Sequence, residues 1–278
     1  MTQHHTEISV PSPVAYEAAR TGAAALARPD RGCLVVTGQD RAAFLHALLT
    51  NDVMGLTAGT GCYAALLTPQ GRFVTDVWVH ELGDALLLRL GAESTGALLQ
   101  RLDALVFSED VQLGDVTDSF RAVSLVGPGA MAAAVRVLDD ASVANLPLHG
   151  ARRSAFSAGL AIIVRTDDVG PLGCELLVES HRFASLLEAL RSSGVVDLDA
   201  GTAEVLRIEH GVPRFHQDMD EETIPLEAGI EARAISLTKG CYIGQEVIIR
   251  VLHRGHGRVA RKLDRKSTRL NSSHVSES

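Results

Sequence analysis

The sequence predicts an α+β fold in two domains, each an antiparallel sheet flanked by helices. Two observations lead there. Apolar strand-like runs and amphipathic helical stretches are mixed without the strict βα alternation of a doubly wound sheet. Thr68-Pro69-Gln70-Gly71, set between two strand-like runs, is a hairpin signal in which proline presets φ and glycine supplies a permissive position. The length of 278 residues agrees with about two domains.

The elements follow in order. Residues 13–27 are alanine-rich and predict a helix, ended by Pro29-Asp30. Residues 33–37 predict a strand. Asp40 is placed to cap a helix through Leu49, with Phe44, Leu45, Leu48 and Leu49 on one face. Residues 63–67 and 73–80 are the hairpin strands, and 85–90 a third strand. Residues 94–107 carry Leu98, Leu99, Leu102 and Leu105 at helical spacing. Residues 111–115 return as a strand. A second block repeats the style, with strands at 120–126, 160–165 and 174–178 and helices at 130–138, 182–190 and 202–210. The boundary between the blocks falls near residues 115–119.

Composition narrows the function. Charged residues make up 22% and hydrophobic residues 46%, which excludes a mainly disordered chain. The formal charge of −8 and the 4% of aromatics argue against a broad nucleic-acid face or rows of base-stacking platforms. No run of about 18 apolar residues exists to span a membrane. The N-terminus lacks the pattern of a signal or transit peptide, so a cytoplasmic location is expected. Cys33, Cys62, Cys174 and Cys241 form no Cys-x-x-Cys pair, and no metal site is expected.

Residues 207–250 carry the most chemistry. Asp218, Asp220, Glu221 and Glu222 form an acidic run, either a solvated loop or acceptors aimed into a cleft. Further on stands Lys239-Gly240-Cys241-Tyr242-Ile243-Gly244-Gln245-Glu246. Two readings of Cys241 stand side by side. A helix N-terminus and Lys239 would favour its thiolate, or the cysteine is packed in a turn whose glycines serve only backbone conformation.

The block from Lys239 to Glu246 resembles the signature of the YgfZ-type folate-binding proteins, relatives of the glycine-cleavage T-protein (aminomethyltransferase). Further likenesses support it: Asp40-Arg41-Ala42-Ala43-Phe44-Leu45, the hairpin from Tyr63 to Arg72, Arg207-Ile208-Glu209-His210-Gly211, and residues 217–229. The resemblance runs over about residues 32–262. It implies two α+β domains followed by a C-terminal β-barrel, arranged around a central hole that holds folate. The expected division is an N-terminal segment at 1–31, a first domain at 32–117, a second at 118–257, and the start of a barrel at 258–264. Residues 265–278 are serine-rich and read as a non-native tail, so that the barrel is mostly missing.

The resemblance also implies a site. Glu175 falls at the glutamate that holds the pterin of tetrahydrofolate, Arg207 at an arginine of the folate pocket, and Tyr63 in the hairpin beside it. The T-protein's acidic pair is represented by Thr75-Asp76, so Asp76 is both a folate contact and a catalytic candidate. Asp168 stands where the pterin loop has a tyrosine. Losing one acid and gaining the cysteine block points to the YgfZ branch. Its implied role is that of a tetrahydrofolate-binding accessory protein for iron–sulfur proteins, with Cys241 as working thiol and Lys239 tuning it. Folate and iron–sulfur clients or assembly factors are then the partners. The alternative is a folate-dependent aminomethyltransferase of the glycine-cleavage type, and whether the chain is an enzyme stays open on these residues.

Overall fold

The computed structural model describes residues 10–170, 172–253, 259 and 261–264. The chain opens with α1 (Pro13–Thr21), β1 (Ala24–Ala27), β2 (Arg31–Thr37) and α2 (Arg41–Leu48). It continues through β3 (Gly61–Leu67), β4 (Phe73–Glu81), β5 (Leu86–Gly91), α3 (Ala92–Asp103) and β6 (Gln112–Asp115). The second half holds β7 (Phe120–Val126), α4 (Ala130–Leu138), β8 (Ala151–Phe156), β9 (Gly159–Thr166), β10 (Gly173–Glu179), α5 (Phe183–Ser192) and β11 (Val196–Asp197). It then runs through α6 (Ala200–Glu209), α7 (Pro225–Ala228), α8 (Glu231–Ala234) and α9 (Gln245–His253).

Two sheets result. One has five strands in the order β3-β4-β5-β2-β6, and the other six in the order β11-β1-β7-β10-β9-β8. All pairings are antiparallel except β1 with β11. This is the α+β fold with helix-flanked sheets that the sequence predicts. The hairpin forms as its residues require: Gly71 sits at φ +76°, and its N–H donates to the Thr68 carbonyl at 2.8 Å.

Each sheet buries one face against helices. Leu34, Val36, Val77, Val79 and Leu88 pack on α2 and α3 through Phe44, Leu45, Leu98 and Leu102. Val123, Ile163 and Leu176 pack on α4 and α5 through Ala133, Ala134, Leu186 and Leu190. The sheets also meet each other. Cys33 and Leu87 of the five-stranded sheet join Ile162, Val164 and Leu177 of the six-stranded one in a single buried cluster. The segment after α6 returns to the five-stranded sheet, where Phe215, Leu226 and Tyr242 cover Tyr63, Phe73 and Trp78.

The structure differs from the sequence expectations in several places. The helix expected over 13–27 stops at Thr21, and residues 24–27 form a strand. Pairing with β7 and β11 overrides alanine's helix preference. The turn there is tight: a Cβ on Gly127 would stand 2.5 Å from the Gly22 carbonyl oxygen. β8 was not anticipated, because Arg152, Arg153 and Ser154 give it the polar face of an edge strand. Asp40 does not cap α2 with its side chain; its Oδ2 instead accepts from the Asp110 N–H at 2.8 Å. Residues 259 and 261–264 form no strand, and the Leu263 N–H donates to the Glu227 carbonyl at 2.7 Å. The proposed tail at 265–278 lies outside the described residues. No helix among the described residues is long and apolar enough to cross a membrane.

Candidate active site between the sheets

β5 reads Leu86-Leu87-Leu88-Arg89-Leu90, and a guanidinium in so apolar a run must find a buried partner. That partner is Glu175 on β10. Arg89 Nη2 and Nε lie 2.6 and 2.9 Å from Glu175 Oε1. Arg31 Nε and Ser124 Oγ meet the other oxygen, each at 3.2 Å. Arg28 stands 3.9 Å away and binds Asp168 at 2.8 Å and Asp30 at 2.8 Å, while Arg31 also pairs with Asp168. Three arginines and three acids thus tie the turn between β1 and β2 to both sheets. Burial alone would push the Glu175 carboxyl up; Arg89, Arg31 and Arg28 outweigh it and bring it to about 2.

A cavity of about 220 Å³ opens beside this network. Asp76, Trp78, Arg28, Arg31, Arg214 and Phe215 line it. In the β3–β4 register Tyr63 is opposite Trp78, so Asp76 is its diagonal neighbour on the same face. The Tyr63 hydroxyl donates to Asp76 Oδ2 at 2.7 Å. Asp76 is 4% exposed. Burial raises its pKa above the ordinary carboxylate value, against the opposing pull of the Tyr63 hydrogen bond and of Arg31. Burial and the Asp76 charge raise the Tyr63 phenol well above its usual value, so it stays a donor. Arg31 lies over the Trp78 ring, 5.0 Å from its centroid, and Tyr63 packs on Trp78 at 4.9 Å. Among the described residues the Arg214 guanidinium has one ion pair, to Glu204 at 3.8 Å, a carboxylate that Arg207 already holds at 2.5 Å, and Asp30 also acts on it electrostatically.

The residues expected from sequence are thus placed in three ways. Asp76 lines the cavity, and Tyr63, which does not, holds it from behind through its hydroxyl. Glu175 is fully buried, does not line the cavity, and spends both oxygens on side chains of the protein. Arg207 edges the cavity, but its guanidinium is held by Glu204, by Asp218 at 2.5 Å and by the Val212 carbonyl at 2.5 Å. The acidic run divides: Asp218 turns inward to Arg207, whereas Asp220, Glu221 and Glu222 stay exposed.

Lys239 and Cys241 stand apart from the cavity. The Lys239 ammonium donates to the carbonyls of His46, Leu49 (2.5 Å) and Asn51 (3.3 Å), closing the C-terminal end of α2. Burial lowers its pKa to about 8. Tyr242 is buried in the core, and a Cβ on Gly244, at φ +83°, would stand 2.5 Å from the Thr68 carbonyl of the hairpin turn. The block therefore clasps α2 and the hairpin. Cys241 is exposed and lies in the turn four residues ahead of the start of α9 at Gln245, while the Lys239 ammonium is turned to α2.

Sequence reading missed Arg28, Arg31, Trp78, Arg214 and Phe215. Arg89 alone carried a usable signal, as a charge within an apolar strand. The others converge from distant segments.

Comparison with known proteins agrees with this architecture. Residues 15–239 match the GCVT N-terminal domain, and the chain belongs to that family. It is 31% identical over 227 residues to an aminomethyltransferase of Synechocystis sp., covering 78% of this chain and 59% of that protein. It is 30% identical over 243 residues to an aminomethyltransferase of Rubrobacter xylanophilus, covering 86% and 64%. The chain thus spans about three-fifths of the length of the curated relatives it matches. The glycine cleavage system aminomethyltransferase T of Bartonella henselae superposes with a TM-score of 0.75 at 21% identity, over 89% of this chain and 69% of that one. It shares the fold.

Proposed function

We propose that the chain is the folate-binding body of a tetrahydrofolate-dependent aminomethyltransferase-type enzyme, with Asp76 as the acid–base residue. One observation carries the reading: a buried carboxyl with a raised pKa, oriented by Tyr63, on the wall of a cavity. The relatives named aminomethyltransferase favour this alternative over the accessory role for iron–sulfur proteins. The exposed Cys241, with Lys239 turned to α2, gives that role no site chemistry to rest on.

The donor set fits a reduced folate. Asp76 offers an acceptor for ring N–H groups. Trp78 and Phe215 offer apolar aromatic surface to a fused ring. Arg214, partly exposed and loosely paired with Glu204, offers a partner for a ligand carboxylate. Glu175 serves indirectly, holding Arg31 and Arg89 in place.

Tetrahydrofolate bound there supplies a nucleophilic nitrogen to accept a one-carbon unit. The protein's own part is proton handling. Burial raises the Asp76 pKa, the direction that makes its carboxylate a better proton acceptor. Tyr63, kept protonated, fixes the carboxylate's orientation.

Titration of the folded chain with tetrahydrofolate, read by the fluorescence of Trp78, its single tryptophan, tests the pocket. Saturable quenching is expected, and its absence overturns the reading. Asp76→Asn should retain the fold and lose tetrahydrofolate-dependent ammonia release from an aminomethyl-lipoyl carrier by about 100-fold or more. Undiminished turnover removes Asp76 from the chemistry.

A further inference from the structure

Arg28 and Arg31 also wall a second cavity, of about 340 Å³, which Asp76 and Trp78 do not line. It lies where the two sheets meet, and Cys33, Phe120, Arg121 and Leu177 are among its other lining residues. Its electrostatics are lopsided. Asp30 and Asp168, two of the acids that neutralise Arg28 and Arg31, line the first cavity and not this one. Arg121 adds a third cation. Its Nη1 meets only the carbonyls of Thr117 and Phe120, at 3.3 and 3.4 Å, and no carboxylate pairs with it among the described residues. Asp118 is the acid on this lining, and it is solvent-exposed.

The walls between these charges are apolar. Leu177 and Ala122 are buried, and Phe120 is partly buried. Burial raises the Cys33 thiol to about 12, so it adds no negative charge. Burial, with the adjacent Arg28, lowers Arg31 to about 10.

We infer that this second cavity binds a small carboxylate carried on an apolar or aromatic body. The carboxylate meets Arg121 at the mouth and the Arg28–Arg31 pair within. The body lies on Phe120 and Leu177. The guanidiniums supply directed donors that an uncharged isostere cannot satisfy as well. This site does not depend on the folate reading, since it shares only the two arginines with the first cavity.

The probe is 4-fluorophenylacetate, with 4-fluorophenylacetamide as its uncharged match, followed by fluorine NMR line broadening on the whole chain. The acid should bind with a dissociation constant on the order of 1 mM, suited to so small a ligand, and the amide about tenfold more weakly. Arg121→Gln should weaken the acid about tenfold and erase its advantage over the amide. Arg214→Gln, which alters the first cavity alone, should leave both unchanged. Both arginines are at least partly exposed, so unfolding curves matching the parent are expected. Equal binding of acid and amide overturns the inference, as does indifference to Arg121→Gln. A loss on Arg214→Gln matching that on Arg121→Gln places the probe in the first cavity and also overturns it.

Discussion

Glu175 and Asp76 are two buried carboxyls of one molecule that their surroundings drive in opposite directions. Glu175 is fully buried, yet three arginines bring it down to about 2. Asp76 is nearly as buried, and the pull of the Tyr63 hydroxyl and of Arg31 does not outweigh burial, so its pKa stays raised. The difference separates two uses of the same group. A carboxylate matched by close cations is locked in one charge state and holds structure. One satisfied by a neutral donor keeps its proton exchangeable and is available for chemistry.

The largest expected effect breaks that contrast at its structural end. Glu175→Gln leaves Arg89, Arg31 and Arg28 buried short of a counter-charge and should cost about 3–5 kcal/mol of unfolding free energy. Asp76→Asn removes a charge that burial disfavours and keeps an acceptor for Tyr63. It should stay within about 1 kcal/mol of the parent or exceed it. Urea unfolding of both variants measures this, and equal losses would erase the distinction.

Acid titration sharpens the comparison next. His80 and His149 are buried, and their pKa values fall from 6.5 to about 3 and about 4. Burial is the main cause, with Arg89 adding to it. The unfolded chain binds protons at higher pH than the folded one. The histidines' share of stability is therefore fully present above pH 6.5 and is lost as pH drops toward 3 for His80 and 4 for His149, by up to about 1.4 kcal/mol per unit for each. Glu175 adds a loss of the same sign between 4.5 and about 2. Asp76 works the other way, its share being present at low pH and lost as pH rises through its raised value. Unfolding free energies from pH 7 to 4 should fall steadily, and His80→Asn should flatten the slope.

The smallest effects concern the clasp. Lys239→Met should cost about 1 kcal/mol by freeing the α2 carbonyls, whereas the exposed Cys241→Ala should stay within about 0.5 kcal/mol. Thermal unfolding of the pair checks both. A larger loss at Cys241 would show that its side chain has a packing role.

Local signals in the chain carried much of the fold. The Pro-Gln-Gly hairpin, the leucines of α3 and the alternation of strands needed only neighbouring residues. The site was legible in part. Asp76 and Tyr63 lie within one hairpin, so the resemblance that located the hairpin located both. Glu175 was found, but its environment was not: Arg89 reaches it from 86 residues away and Arg31 from 144. Lys239 looked like a partner for its neighbour Cys241, yet its ammonium joins carbonyls about 190 residues earlier. Charge pairing at such separations leaves no local pattern to read.

The course of β1 has a consequence for how the chain assembles. This strand is made before any of the five-stranded sheet, yet its partners are Leu125 and Val126 on one side and Val196 and Asp197 on the other. During synthesis it must wait for the ribosome to deliver at least a hundred further residues. The six-stranded sheet thus encloses the earlier half in a long loop, and its closure is a late event of high contact order. Severing the chain between the two sheets would leave this strand on the wrong fragment, and neither piece would keep the other's fold without being re-mixed with it.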